Sequence, residues 1–267
     1  MKLSLDQSVK FSRTDIYFSD SGKGKTIVLL HGFLESSEIW NRLPNDFSDP
    51  FRIVAIDLPG HGKSGTMDDL SMEKIADSVK AVLDNCDIEQ CLMVGHSMGG
   101  YAALAFAEKY PDLLKGLVLF HSQAAADTEE AKMNRTRTIR IVTDDRAGFI
   151  TSFIPDLFAR ASVSKFSEAI EDQKSIAHQT SNEGIIAALK AMKERNDSRT
   201  LLENLKVPVL FIAGKEDKRI PVGLITTQAA LPRHAELLLL SGVGHMGFIE
   251  APEIIFPTLK CFAKRVL

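Results

Sequence analysis

The segment Gly95-His96-Ser97-Met98-Gly99-Gly100 constrains the fold of this chain more than any other part of the sequence. It follows the apolar run 91–94 and precedes the alanine-rich run 101–107. The first run is typical of a buried strand and the second of a helix. Glycines beside the serine allow strand and helix to approach closely, because they carry no Cβ atom. The segment therefore predicts a tight strand–turn–helix unit with Ser97 at its tip.

Short apolar runs alternate with longer amphipathic segments along the chain, and this alternation predicts an α/β fold. The pattern is typical of a mostly parallel central sheet that is covered by helices on both faces. Near the amino terminus, residues 9–12 and 14–19 predict an antiparallel pair of strands, so we expect a mixed sheet. The predicted parallel strands are 26–30, 52–56, 91–94, 116–120, 207–213 and 236–240.

The interval 122–200 differs in composition from the rest of the chain. It contains only two of the 17 glycines, Gly148 and Gly184, and it is rich in alanine and charged residues. A helical block between two predicted strands is typical of a cap over the carboxyl edge of the sheet, where ligands bind in open α/β folds. We therefore expect a core formed by 1–121 and 201–267, with a helical cap inserted at 122–200.

Charge and hydropathy argue against several classes of function. The chain has 32 basic and 35 acidic residues, a formal net charge of −3, which gives no electrostatic basis for a nucleic-acid or anionic-membrane partner. No apolar stretch has the length of a signal peptide or a membrane span. The three cysteines lack metal-ligand spacing, so neither a metal nor a cofactor is predicted. We expect a cytoplasmic protein with a small-molecule substrate, and the sequence does not indicate its oligomeric state.

A serine hydroxyl needs a neighbouring base to become an effective nucleophile, and His245 is our candidate among the seven histidines. It lies in the glycine-rich loop 242–247, directly after the last predicted strand. The preferred acid is Asp217, in the turn after strand 207–213, and we expect its neighbour Glu216 to be a solvated turn residue. Asp127, after the preceding strand, is the alternative acid.

A tetrahedral oxyanion would need preorganised donors, and backbone N–H groups usually provide them. One candidate is the N–H of Met98, directly after the nucleophile. The other is the N–H of Phe33, at the end of the first parallel strand. The Phe33 side chain could form a pocket wall at the same time, because the donor is its backbone.

Together these motifs resemble the α/β-hydrolase superfamily, in particular its cap-bearing esterase and lipase-like branch. The resemblance covers nearly the whole chain and includes the loop 57–64, which is similar to a family loop that braces the mouth of the site. It implies a Ser97–His245–Asp217 triad that cleaves a small or medium carboxylic ester through an acyl-enzyme. Family members that act as dehalogenases or epoxide hydrolases carry aspartate where this chain has Ser97, so those activities are disfavoured.

Two other functions stay open on the same fold. One is a C–C bond hydrolase or lyase that uses the same triad, although such relatives tend to carry a tryptophan shortly after the catalytic histidine, where this chain has Met246-Gly247-Phe248. The other is a ligand sensor with little turnover, which an intact triad disfavours. Aminopeptidase-like relatives usually carry a Gly-Gly-x-Gly loop, and residues 33–36 do not match it.

The predicted pocket combines apolar and cationic side chains of the cap. Phenylalanines would form an apolar wall over Ser97, and an arginine at the mouth, such as Arg137 or Arg140, would favour substrates with a remote carboxylate. The simpler interpretation gives the arginines a solvated helix face and the aromatic residues the cap's own core. The candidate pocket-lining residues are His121, Phe149, Phe153, Phe158 and Met246.

Overall fold

The computed structural model describes residues 6–267, and within them an eight-stranded sheet organises the fold. The strands are β1 (Gln7–Phe11), β2 (Thr14–Gly22), β3 (Thr26–Leu30), β4 (Arg52–Ile56), β5 (Cys91–His96), β6 (Leu114–Phe120), β7 (Val209–Gly214) and β8 (Ala235–Leu240). Their spatial order is β1-β2-β4-β3-β5-β6-β7-β8. The β1–β2 and β2–β4 pairs are antiparallel and all other neighbours are parallel. The predicted mixed, mostly parallel sheet is confirmed.

Helices cover this sheet and fill the interval between β6 and β7. They are α1 (Met72–Asn85), α2 (Met98–Lys109), α3 (Glu129–Phe153), α4 (Ser167–His178), α5 (Asn182–Lys193), α6 (Arg199–Asn204), α7 (Val222–Gln228), α8 (Gly247–Glu250) and α9 (Pro252–Val266). Short 3-10 helices occur at Ser37–Arg42, Pro111–Leu113 and Pro155–Leu157. Within residues 6–267, no helix combines the length and the apolar content that crossing a bilayer requires.

The central strands lie in the hydrophobic core. All five residues of β3 and all six of β5 are buried, which explains why both read as continuous apolar runs rather than alternating ones. Strand β8 is at the edge of the sheet, and the first half of it is exposed. Strand β7 begins at Val209, two residues later than predicted, because Pro208 has no N–H to donate to a strand ladder.

Between β6 and β7 the chain forms the helices α3 to α6 and no strand of the described sheet. Helix α3 bends at Asp145, whose φ of −148° and ψ of 80° are not helical. The Asp145 carboxylate accepts a hydrogen bond of 2.8 Å from the Gly148 N–H, so it acts as a cap for the second half of the helix. Helix α6 spans the expected boundary at 200, and the cap limits 122 and 200 stay a prediction.

Candidate active site

Ser97 lies at the junction of β5 and α2, where the backbone makes a strained turn. Its φ of 48° is in the left-handed region that residues with a side chain rarely adopt. A Cβ atom at Gly95 would be 2.3 Å from the Gly99 carbonyl oxygen, and one at Gly99 would be 2.5 Å from the Leu30 carbonyl oxygen. Both glycines are therefore required for the close contact between β3, β5 and α2. The turn leaves the Ser97 side chain on the wall of a cavity.

The Asp217 carboxylate and the His245 imidazole are joined by a hydrogen bond of 2.7 Å between His245 Nδ1 and Asp217 Oδ2. Asp217 follows β7, and its other oxygen accepts hydrogen bonds from the N–H groups of Arg219 (2.8 Å) and Ile220 (3.0 Å). Although burial opposes its ionisation, the neighbouring imidazoles of His245 and His121 hold the pKa of Asp217 well below its ordinary value. An ionised Asp217 favours the His245 tautomer with the proton on Nδ1, which leaves Nε2 as a base.

The loop that carries His245 is held against the segment 157–159. The His245 N–H donates a hydrogen bond of 2.7 Å to the Leu157 carbonyl. The Glu250 carboxylate accepts hydrogen bonds of 2.9 Å from the N–H groups of both Gly244 and Ala159. A Cβ atom at Gly244 would be 2.4 Å from the Ala159 nitrogen, so only glycine allows this contact. The position of His245 therefore depends on residues from the helical interval.

Ser97 and His245 both line the cavity, but in the described part of the chain no hydrogen bond joins their side chains. A serine–histidine bond of this kind is commonly long in a free enzyme and shortens when substrate binds. The three predicted residues are thus brought to one site, where the hydrogen bond between Asp217 and His245 is already formed.

Two backbone N–H groups beside Ser97 have no acceptor in the described part of the chain. Met98 is the first residue of α2, so no earlier helical carbonyl is available to its N–H. Phe33 follows Gly32, whose own N–H donates a hydrogen bond of 2.5 Å to Glu35 Oε2. That contact occupies the Gly32 donor and leaves the Phe33 N–H free. Free donors of this kind are what an oxyanion site requires.

A buried pair, Glu35 and His96, links the Phe33 loop to the His245 loop. His96 Nδ1 is 2.9 Å from Glu35 Oε2, and His96 Nε2 donates a hydrogen bond of 3.0 Å to the His245 carbonyl. Burial of Glu35 disfavours its charge, but the contacts with His96 lower the pKa of the Glu35 carboxyl. Burial likewise opposes the charge on His96, and Glu35 raises its pKa. Both His96 nitrogens face an acceptor, Glu35 Oε2 and the His245 carbonyl, and this geometry favours an imidazolium beside a carboxylate.

The cavity has a volume of about 300 Å³ and is lined by core residues and by residues of the helical interval. One face of α3 contributes Ala131, Asn134, Arg135 and Thr138, which are spaced as i, i+3, i+4 and i+7. The aromatic lining residues are Phe33, Tyr101, Phe149 and Phe153. Lys218 and Arg219 add positive charge beside the Asp217 turn.

Several predicted pocket residues lie elsewhere. Phe149 and Phe153 are on the cavity wall, but His121, Phe158 and Met246 are not. His121 is fully buried and contacts Asp217, Phe158 is packed against Phe166 with ring centroids 6.4 Å apart, and the Met246 side chain is enclosed in the core. The expectation that these three line the pocket is wrong, because the sequence shows that a residue is near the site without showing which way it faces.

The two cap arginines expected at the mouth are on a different surface. Arg137 and Arg140 are exposed and belong to the outer face of α3, together with Met133. Helical phase separates them from Arg135, which does line the cavity. The sequence contained this periodicity, but it did not indicate which face of the helix points inward.

The alternative acids have other partners. The Asp127 carboxylate forms ion pairs with Arg135 and Arg195. Glu216 is an exposed turn residue, as expected, and it also accepts a hydrogen bond of 3.0 Å from the Val243 N–H, which supports the loop of His245. Neither carboxylate forms a hydrogen bond with His245.

Within residues 6–267, one group of side chains has metal-ligand spacing: His121, Asp217 and His245, whose ligand atoms lie within 4.8 Å of one another. Both imidazoles direct Nδ1 at the same Asp217 oxygen. Hydrogen bonds to that carboxylate therefore account for the proximity of the three groups.

Comparison with known proteins gives a consistent result. A family model described as alpha/beta hydrolase fold matches residues 25–252. A thermophilic esterase from Thermogutta terrifontis has 30% sequence identity and a TM-score of 0.92, covering 97% of this chain and 99% of that one. A pimeloyl-[acyl-carrier protein] methyl ester esterase of Vibrio vulnificus is 25% identical over 94% of this chain and 98% of its own. A 2-hydroxy-6-oxononadienedioate/2-hydroxy-6-oxononatrienedioate hydrolase of Paraburkholderia phymatum is 29% identical over 89% of this chain and 87% of its own.

Proposed function

The chain belongs to the α/β-hydrolase family and is a hydrolase that acts on ester bonds, and from that premise we propose that it cleaves small or medium carboxylic esters through Ser97, His245 and Asp217. The observation that carries the proposal is the 2.7 Å hydrogen bond between Asp217 and His245, with His245 on the same cavity wall as Ser97. The strained backbone of Ser97 supports it, because such strain is concentrated at functional sites.

In the proposed reaction, His245 Nε2 accepts the Ser97 hydroxyl proton while Ser97 Oγ attacks the ester carbonyl carbon. The carbonyl oxygen becomes an oxyanion, which the N–H groups of Phe33 and Met98 stabilise. Collapse of this intermediate breaks the bond to the alcohol oxygen, which receives the proton from His245. Water then attacks the acyl-enzyme, again losing a proton to His245, and the acid is released as Ser97 recovers its proton.

Asp217 remains ionised throughout this cycle. Its low pKa means that it does not take the proton from the imidazolium, so it orients His245 and stabilises the positive charge electrostatically. The hydrogen bonds from the N–H groups of Arg219 and Ile220 hold the carboxylate in place.

We further propose that residues 122–200 act as a cap that limits substrate size. Residues of helix α3 and Leu157 form part of the cavity wall, and the volume of about 300 Å³ is at the lower end of the range for small-molecule sites. A small-molecule ester with a short or medium acyl chain fits this space better than a triglyceride.

The proposal is tested by replacing Ser97 with alanine. Ser97→Ala should keep the native circular dichroism spectrum and lose at least about three orders of magnitude in kcat for a butyrate ester. It should also lose labelling by a fluorophosphonate probe. Ser164→Ala, on an exposed serine of the helical interval, is the matched control and should keep both properties. If Ser97→Ala retains a tenth of the wild-type activity, Ser97 is not the nucleophile.

A second candidate function is hydrolysis of a C–C bond on the same triad. The 29% identity to the 2-hydroxy-6-oxononadienedioate hydrolase favours testing it. Relatives that hydrolyse C–C bonds tend to carry a tryptophan shortly after the catalytic histidine, whereas this chain has Phe248 three positions after His245. Phe248 is buried against Trp40 and His96 and does not line the cavity. Turnover of a dienol-ketone acid at a rate above that of any butyrate ester would favour this second function.

A further inference from the structure

Three cationic side chains lie on the wall of the candidate active site, and they differ in how fully their donors are used. Arg135 donates hydrogen bonds to the Asp127 carboxylate through Nε and Nη2, and its Nη1 is 3.5 Å from the Met192 sulfur. The other two, Lys218 and Arg219, follow Asp217 directly in the sequence. The only acid on the cavity wall, within the described residues, is Glu35, whose charge is paired with His96.

Lys218 and Arg219 share one acid. Lys218 Nζ is 2.6 Å from Asp156 Oδ1, and Arg219 Nη2 is 2.6 Å from Asp156 Oδ2. Asp156 is one carboxylate between two cations, so it cannot neutralise both of them. The Lys218 side chain is 54% exposed and that of Arg219 is 36% exposed, so solvent weakens the charge of Lys218 more.

The Arg219 guanidinium is held in position by its surroundings. Its central carbon lies 4.6 Å from the ring centroid of Phe153, an aromatic residue of the cavity wall. Its backbone N–H is bonded to Asp217, so the residue is anchored at the proposed triad while its side chain extends to the cavity wall. Within the described part of the chain, Nε and Nη1 of Arg219 have no protein acceptor. Donors that are fixed and unused are suited to a carboxylate.

We propose that Arg219 forms an anion-binding subsite of the active site, and that the preferred substrates are esters with a carboxylate remote from the reacting carbonyl. The inference rests on the proposed ester hydrolysis, whose substrate class it specifies. Arg219 acts as a specificity residue: it contributes to binding of the anionic group and takes no part in the transfer of the acyl group.

The test compares esters that differ only in charge. Monomethyl glutarate carries the anion on the acyl side, and methyl glutaramate replaces it with a neutral amide of the same size. O-butyrylglycolate and its amide place the same difference on the alcohol side. In at least one pair, wild-type kcat/KM should favour the anion by about tenfold, and Arg219→Gln should remove the preference by lowering kcat/KM for the anion far more than for the amide. The preference should also fall when ionic strength rises from about 0.01 M to about 1 M.

Two variants act as controls for this test. Arg219→Lys keeps the charge and should retain part of the preference, whereas Arg137→Gln removes a cation from the outer face of α3 and should leave it intact. Equal rates for anion and amide in both pairs of the wild type would overturn the subsite. An equal loss for anion and amide in Arg219→Gln would also overturn it.

Failure of the subsite and failure of ester hydrolysis give different results. Cleavage of neutral esters without any charge preference contradicts the subsite alone, whereas no cleavage of any ester contradicts the proposed function. If no ester is cleaved, calorimetry compares the binding of glutarate and of neutral glutaramide to the wild-type protein and so tests the anion subsite by itself. Tighter binding of glutarate that is lost in Arg219→Gln supports the anion site, and equal binding overturns it.

Discussion

His121 Nδ1 lies 3.2 Å from Asp217 Oδ2, the same carboxylate oxygen that accepts the hydrogen bond of His245. His121 follows the end of β6 with a φ of 46°, and its side chain is fully buried. Burial lowers the pKa of His121 to about 4, so its imidazole is neutral near pH 7. A neutral second histidine therefore helps to orient the proposed catalytic acid without adding a competing charge.

Removal of this second donor should impair turnover moderately. We expect His121→Ala to lower kcat by about tenfold with little change in KM, because Asp217 keeps its other three donors. His121→Asn should retain more activity, since asparagine tolerates a positive φ and carries an N–H donor. The measurement is steady-state kinetics on a butyrate ester, with His234→Ala as the exposed control. Full activity of His121→Ala would show that this contact has no role in positioning.

Asp217→Asn and Asp127→Asn should fail in different ways. The first removes the partner that sets the His245 tautomer, so kcat should fall by about four orders of magnitude. The second leaves Arg135 and Arg195 unpaired, and we expect a loss of about 3 kcal/mol in unfolding free energy. Urea titration and kinetics on both variants separate the two effects, and Glu216→Gln should change kcat far less than Asp217→Asn does. A larger loss of kcat in Asp127→Asn than in Asp217→Asn would show that the catalytic acid is Asp127, which follows β6.

The pair Glu35–His96 should stabilise the fold over a limited range of pH. The pKa of His96 is raised, so its contribution is complete below about 6.5 and is lost as pH rises through the folded-state pKa. The pKa of Glu35 is lowered, so its contribution is complete above about 4.5 and is lost as pH falls through the folded-state pKa. The difference in unfolding free energy between wild type and Glu35→Gln should therefore be largest between these two values.

Glu35→Gln should also affect the reaction if the pair positions the Phe33 loop. We expect kcat to fall by about tenfold or more while KM changes little, because the Phe33 N–H acts only on the oxyanion. His96→Gln should produce a similar loss, and the double variant should cost less than the sum of the two. Strictly additive losses would indicate that the two residues act independently.

His61 should make the protein sensitive to acid. Burial lowers its pKa to about 3, whereas an unfolded histidine titrates near 6.5. Between these values the unfolded chain binds more protons, so unfolding free energy should decrease as pH falls from about 6.5 towards 3. His61→Asn should flatten this decrease, and the exposed His178→Asn should not. Urea titrations at several pH values across that range provide the measurement.

The size of the cavity should limit the acyl chain. With a volume of about 300 Å³ and a wall formed partly by α3, we expect a butyrate ester to be cleaved faster than an emulsified long-chain triglyceride. Acyl esters of increasing length, compared by kcat/KM, give the test. Faster cleavage of the long-chain lipid would mean that the helices of the cap do not enclose the substrate.

The α/β fold was predictable because it depends on local patterns. Buried parallel strands read as continuous apolar runs, and β3 and β4 begin and end where the sequence predicts. The Gly95–Gly99 pair predicts the turn at Ser97, since only glycine permits the close contacts seen there. The order nucleophile, acid, histidine along the chain then predicted Asp217 and His245. In the structure, His245 Nδ1 lies 2.7 Å from Asp217 Oδ2.

Only the tertiary structure could decide which side chains meet across the sheet edge. Glu35 and His96 are 61 positions apart, and no periodicity relates them. The inward face of α3, with Arg135 on the cavity and Arg137 outside, depends on how the helix packs on the core. Periodicity in a sequence reports the spacing of side chains along one element, whereas orientation between elements arises from packing, which brings distant residues together.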